Sequence, residues 1–253
     1  MAGIDFTIAD GIATIAINRP EARNAVNGEV ARGIRAAVDE IESNDEIRVG
    51  ILTGNGGTFC AGLDLKAFLN NEEVKWPGIG FAGLVERTLT KPMIAAVEGF
   101  ALAGGFELAL SCDLIIASRE AKCGLPEVKR GLVARSGGLV RLPRQMPQRI
   151  AAELVLTGDM VSAERLAGYG LINRIVDAGT ALAEAQAMAR TIAANGPMAL
   201  AASKKVLAEA PGWTLAEMFD RQHPICDPVF ASQDAREGAR AFAEKRAPVW
   251  QGR

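Results

Sequence analysis

Apolar positions along the chain fall into short strand-like blocks that alternate with helical ones. Residues 4–9 and 12–17 are apolar-rich, and the Asp10-Gly11 pair between them predicts a tight hairpin. Asn18-Arg19-Pro20 ends the second strand, because proline cannot continue a central ladder. From Gly28 to Glu42, the apolar residues Val30, Ile34, Ala37, Val38 and Ile41 follow helical spacing. Val49 to Thr53 reads as a buried strand that runs into the glycine-rich turn Gly54 to Gly57. The pattern then repeats. Residues 81–90 predict a helix broken by Lys91-Pro92, Met93 to Val97 a strand, Gly104 to Leu110 a short helix, and Leu114 to Ala117 another strand.

Strands alternating with helices through short glycine turns indicate an α/β architecture with largely parallel strands. Periodicity alone does not distinguish one open sheet from stacked turns. After about residue 145 the strand signals fade. Residues 148–156, 162–169, 180–194, 197–209, 214–222 and 234–244 read as helices, and only Leu171 to Val176 resembles a strand. A boundary falls near Asn195-Gly196-Pro197, with residues 1–196 as the core and 197–253 as a helical C-terminal region.

Composition removes several kinds of chemistry. The chain has 253 residues, 49% hydrophobic and 23% charged, enough to bury a sizeable core. A net charge of -2 offers nothing to nucleic acid or an anionic membrane, and no run approaches the roughly 18 apolar residues of a spanning helix. The segment Met1 to Asp10 lacks the basic region of a signal peptide. Cys60, Cys112, Cys123 and Cys226 share no CxxC spacing, so reduced thiols in a cytoplasmic protein are expected. The single histidine, His223, cannot build a multi-histidine zinc site, and Pro224 and Pro228 argue against a regular helix around it. No phosphate loop or complete dinucleotide fingerprint is present.

Three segments carry candidate chemistry. In Phe59-Cys60-Ala61-Gly62-Leu63-Asp64-Leu65-Lys66, small residues after a strand would let a ligand approach the backbone; equally, Asp64 would cap a helix. In Gly99 to Ala109, a strand runs into a helix whose first turn holds Gly104 and Gly105, leaving N–H groups accessible at its positive end. Glu107 shares that turn and is either a working carboxylate or a partner of the helix dipole. Gly124-Leu125-Pro126-Glu127 sets a carboxylate among apolar residues, either as a loop charge or as a proton carrier with a raised pKa.

Taken in order, these segments resemble the enoyl-CoA hydratase/isomerase (crotonase) superfamily. The resemblance also runs through Asn18 to Ala25, Cys112-Asp113, Gly137-Gly138 with Arg141-Leu142, Leu156-Thr157-Gly158, Ala163-Glu164, Gly170-Leu171 and Phe242 to Pro248. It implies a spiral of stacked ββα turns with a C-terminal helical trimerisation region, assembled as a homotrimer or hexamer. It implies acyl-CoA thioester substrates and no cofactor beyond the coenzyme A they carry. By this resemblance the N–H groups of Ala61 and Gly104 form an oxyanion hole, Glu107 handles the water and Glu127 the C2 proton. Ala22, Arg23, Ala61, Asp64 and Leu65 match the coenzyme A surface, which Phe242 and Lys245 approach from the C-terminal region.

Two glutamates favour hydration or its reverse over double-bond isomerisation, which often keeps only the one matching Glu127. Where hydratases commonly place glycine near the reacting water, this chain has Arg135, which would narrow the pocket, pair with a glutamate, bind a polar acyl tail, or point to solvent. The same stretch is similar to carnitinyl-CoA dehydratases. A non-catalytic acyl-CoA-binding protein is the alternative outside enzymes.

Overall fold

The computed structural model describes residues 3–253; Met1 and Ala2, at the start of the segment read above for a leader, lie outside the described residues. The predicted hairpin forms: β1 (Ile4–Ala9) pairs antiparallel with β2 (Ile12–Ile17), Ala9 opposite Ile12. Asp10 and Gly11 take φ of 51° and 73°, the left-handed geometry that matches strand twist in a two-residue turn. The strands that follow are β3 (Val49–Gly54), β4 (Lys75–Trp76), β5 (Gly80–Phe81), β6 (Met93–Val97) and β7 (Phe100–Leu102). The last four are β8 (Leu114–Ser118), β9 (Lys122–Gly124), β10 (Val161–Ser162) and β11 (Arg174–Val176).

The main sheet has the order β1-β2-β3-β6-β8-β11, parallel throughout except for the hairpin. All five residues of β6 are buried, as expected where a parallel sheet is covered on both faces. One face packs on α1 (Gly28–Ser43), whose buried stripe includes Val30, Ile34, Ala37, Val38 and Ile41, the predicted set. The other face, carrying Val49, Ile51, Ile94, Ala96 and Ile116, meets Ala181, Ala185 and Ala189. Three alanines four residues apart give that helix a thin face, so it lies close against the sheet.

A second sheet of order β10-β9-β7 answers the question that periodicity left open. The chain leaves β6, turns at Gly99 (φ 54°), enters β7 and continues into a helix; from β8 it enters β9 in the same way. The expected stacked ββα spiral is therefore present. Ala101 pairs in parallel with Cys123 on one side and bridges to Cys60 on the other. Three successive turns are thus held in register: Cys60 and Ala101 lie within the first two candidate segments, and Cys123 immediately precedes the third.

The helices after α1 are α2 (Leu65–Leu69), α3 (Gly104–Ser111), α4 (Gly138–Gln145), α5 (Gln148–Thr157) and α6 (Ala163–Ala167). Then come α7 (Ala181–Ala193), α8 (Pro197–Glu209), α9 (Met218–Phe230) and α10 (Gln233–Glu244). Neither α8 nor α9 carries a buried residue.

Two expectations fail. Residues 81–90 form turns after the β4–β5 hairpin, because Ala82 and Gly83 both have positive φ (52° and 64°) and interrupt any helix. Their apolar side chains face the core, with Phe81, Ala82, Leu84, Val85 and Leu89 all buried, which mimicked helical spacing. Conversely, α9 runs through both Pro224 and Pro228. Each proline removes one ladder donor and crowds the carbonyl four residues earlier, yet the chain stays helical on either side of it. His223 is exposed there and stacks on Phe219 one turn earlier, with centroids 6.2 Å apart.

Candidate active site

The register of the spiral brings Ala61–Asp64, Leu102–Glu107 and Gly124–Glu127 together. Gly62 shows how closely the first two approach. A Cβ placed there would lie 2.8 Å from the Leu102 oxygen, 2.9 Å from the Ala103 Cβ and 3.1 Å from the Gly104 nitrogen. Gly62 also sits at φ +99°, a conformation that side-chain-bearing residues rarely adopt. Only glycine lets these two loops meet.

The donors on the two loops differ in one respect from expectation. The N–H of Ala61 donates to the Arg23 carbonyl at 3.0 Å and is therefore occupied. The Gly62 N–H lies 3.4 Å from the Cys60 sulfur, and the Asp64 N–H donates to the Val26 carbonyl at 2.9 Å. Among the described residues only Leu63 on this stretch has an N–H that donates to no other group. The free donor of the first loop is thus Leu63, two residues beyond the one expected. On the second loop, Gly104 opens α3, so its N–H lies outside the helical ladder, and no other carbonyl accepts it. Ala103 before it holds φ 50° and ψ −129°, a strained conformation for a residue with a Cβ. The Gly124 carbonyl accepts the Ala103 N–H at 2.9 Å and ties this kink to the third segment.

The Glu107 side chain is buried and that of Glu127 half-buried. Glu107 is 3% exposed, and its Oε1 accepts the N–H of Gly138 at 2.9 Å. Burial pushes its carboxyl above the ordinary range; the polar groups of Gly138 and Ser136 and the Arg141 guanidinium act in the opposite direction. Glu127 lies at the start of a 3-10 turn, Pro126–Arg130, and its buried Oε2 has no hydrogen-bond partner. Burial carries the Glu127 carboxyl up to about 7; its own backbone N–H opposes the rise, and the neighbouring Glu107 charge adds to it. One carboxylate is held by a fixed donor, while the other is unpartnered and titrates near neutrality. That is the asymmetry an acid/base pair requires.

The profile of the Enoyl-CoA hydratase/isomerase family matches residues 7–253. The chain belongs to that family. It is 43% identical to the enoyl-CoA hydratase EchA19 of Mycobacterium tuberculosis over 250 residues, covering 94% of this chain and 92% of that protein. It is 40% identical to a carnitinyl-CoA dehydratase of Salmonella typhi, covering 96% and 95% of the two chains. A crystal structure of an enoyl-CoA hydratase from Mycobacterium tuberculosis H37Rv superposes with a TM-score of 0.98 at 52% identity, covering 100% of both chains.

The residues expected on the coenzyme A surface of this family fall into two groups. Ala22 and Arg23 close the short 3-10 turn Pro20–Ala22, and the Arg23 carbonyl abuts Ala61, so this group adjoins the Ala61–Asp64 loop. Leu65 is 48% exposed at the start of α2. Asp64 caps that helix by accepting the Lys66 N–H at 2.9 Å and pairs with Arg19 at 3.1 Å. Its carboxylate is therefore engaged within the chain. Phe242 and Lys245 stand apart at the end of α10, where Phe242 is 88% exposed. Among the described residues, no hydrogen bond or ion pair links these two to the Ala22–Leu65 surface within the chain.

Arg135 is exposed and makes no ion pair with either glutamate. Gly138, Arg141 and Leu63 were not singled out as site residues from the sequence. Which N–H on the first loop is free depends on the non-local pairing with Arg23–Val26, which leaves no trace in the local sequence.

Proposed function

We propose that the protein is an enoyl-CoA hydratase, adding water across the 2,3 double bond of an acyl-CoA thioester and catalysing the reverse dehydration. The observation that carries this reading is the meeting of two unused backbone donors, on Leu63 and Gly104, beside two desolvated carboxylates. Adding hydroxide to C3 sends charge onto the thioester oxygen, and two fixed N–H donors stabilise that enolate. Losing one donor of this kind typically lowers kcat by about 10²–10³-fold. Glu107, held by Gly138, takes the proton from water. Glu127, protonated below about pH 7, delivers a proton to C2. No step requires a cofactor; coenzyme A enters as part of the substrate.

The nucleotide part of the substrate lies over Ala22, Arg23, Ala61 and Leu65, with Asp64 shaping the loop from behind. Phe242 and Lys245 reach this surface from a neighbouring copy in a trimer or hexamer. The bare outer faces of residues 197–253 support that assembly, with Leu207, Leu215, Phe230 and Phe242 all at least three-quarters exposed. Hydration of crotonyl-CoA, followed by loss of enoyl absorbance, tests the reading. Glu107→Gln and Glu127→Gln should each lower kcat by about 10²–10⁴-fold. Unchanged rates in both variants would remove the acid/base assignment.

A further inference from the structure

Beside the carboxylates lies a cleft of about 490 Å³ whose inner wall is the Ala134–Gly137 segment. The segment adjoins Glu107, because a Cβ on the next residue, Gly138, would lie 3.2 Å from both the Glu107 Oε1 and the Ala134 Cβ. The opposite wall holds Val85 and Glu86, which follow Phe81, itself against Gly104. The cleft thus borders the segment that adjoins the Glu107 carboxylate. This inference rests on the hydratase reading and concerns the acyl group that the site accepts.

The cleft has an unbalanced charge. Arg135, Arg141 and Arg144 line it against the single carboxylate of Glu86. Among the described residues none of the three arginines forms an ion pair, and neither does Glu86. Arg141 is fixed: its guanidinium donates to the Val85 carbonyl and lies against the backbone of Gly137, at φ +108°, where a Cβ would collide with it. Arg135 and Arg144 are exposed and unrestrained at the outer rim. Between them, Leu139 and Val140 are 41% and 56% exposed and offer an apolar path for methylene groups. We infer that the acyl pocket selects thioesters whose chain ends in a carboxylate, received by Arg135 and Arg144, and disfavours a quaternary ammonium tail. The second half of this statement separates the protein from relatives whose names specify a carnitinyl group.

The same guanidinium groups would also suit the phosphates of coenzyme A, so the test varies only the tail. Three saturated acyl-CoA thioesters of equal length, ending in carboxylate, methyl or trimethylammonium, are titrated into the protein by calorimetry. Saturated chains bind without reacting, so the ranking does not depend on turnover. The carboxylate tail should bind roughly fivefold tighter than the methyl tail, as expected for one or two exposed ion pairs, and the ammonium tail should bind weakest. The gap should close in the Arg135→Ala/Arg144→Ala variant, persist with Arg135→Lys/Arg144→Lys, and narrow in the wild type as salt rises, because rim charges are screened. Equal affinities for the three tails in the wild type would overturn the inference. So would a gap that survives high salt, or a double alanine variant that weakens all three tails alike, which would assign the arginines to coenzyme A phosphates. Absence of crotonyl-CoA hydration would instead count against the hydratase reading and leave the tail ranking intact.

Discussion

Replacing Gly62 by alanine should separate the chemistry of this site from its fold. The substitution has two effects. At φ +99° a side chain strains the backbone, typically by about 1–3 kcal/mol. The new Cβ would also stand 2.8 Å from the Leu102 oxygen and 3.1 Å from the Gly104 nitrogen. Both neighbours are backbone atoms of the second loop, so relief requires the two donor loops to separate by several tenths of an ångström. Misplacing a reacting group by about 1 Å costs on the order of 10²-fold, and losing one oxyanion donor about 10²–10³-fold. Gly62→Ala should therefore lower kcat for crotonyl-CoA hydration by about 10²-fold or more, with a smaller change in KM because the coenzyme A contacts remain. Gly170→Ala is the control: it sits at φ +80°, where a Cβ meets nothing within 4 Å. It carries comparable backbone strain, so it should lose stability while keeping its turnover. Folded Gly62→Ala protein with kcat within threefold of wild type would refute the reasoning.

As the proposed C2 proton donor, Glu127 should make the reaction pH-dependent. Its carboxyl is raised to about 7, so kcat/KM for hydration should fall as pH rises through about 7, and, because the reaction exchanges no net proton, kcat/KM for dehydration should fall in parallel as the glutamate pair loses the one proton both directions need. The rise also affects stability. A folded pKa above the unfolded value means that this group's contribution is fully present below about 4.5 and is lost as pH climbs through about 7. Glu127→Gln should accordingly be more stable than wild type at pH 8, by up to roughly 3 kcal/mol, and show little gain at pH 4, in urea titrations at each pH. Asp64→Ala removes a helix cap and the partner of Arg19, and should cost about 1 kcal/mol of stability. Asp64→Asn keeps the cap acceptor and should recover most of it; a direct role of the carboxylate in coenzyme A binding would instead appear as a raised KM in both variants.

Much of the fold was legible because its elements announce themselves locally. The hairpin at Asp10-Gly11 and the α1 stripe from Val30 to Ile41 follow from turn chemistry and helical period. What escaped were features set by distant contacts. Residues 81–90 look periodic because they are buried, yet two positive φ angles turn the chain there. Around His223, two prolines predicted a break that α9 absorbs. In the site, Glu107 and Glu127 stood out as carboxylates in apolar surroundings, and Gly104 as a helix start. Each alone was open to a structural reading. What joins them is the parallel register through Cys60, Ala101 and Cys123, which a linear pattern does not display. The free N–H of the first loop belongs to Leu63 rather than Ala61 for the same reason, since the Arg23 carbonyl occupies the Ala61 N–H from another part of the chain. Arg135 was visible as a departure from the hydratase pattern; its alignment with Arg144 along one cleft required the three-dimensional arrangement.

The most direct test is a crystal structure with a bound acyl-CoA, in which the position of the thioester oxygen is read. It should lie within about 2.7–3.1 Å of both the Leu63 and the Gly104 nitrogens, with C2 and C3 beside Glu127 and Glu107. An oxygen held away from either nitrogen, or one bonded to a released Ala61 N–H, would contradict the account.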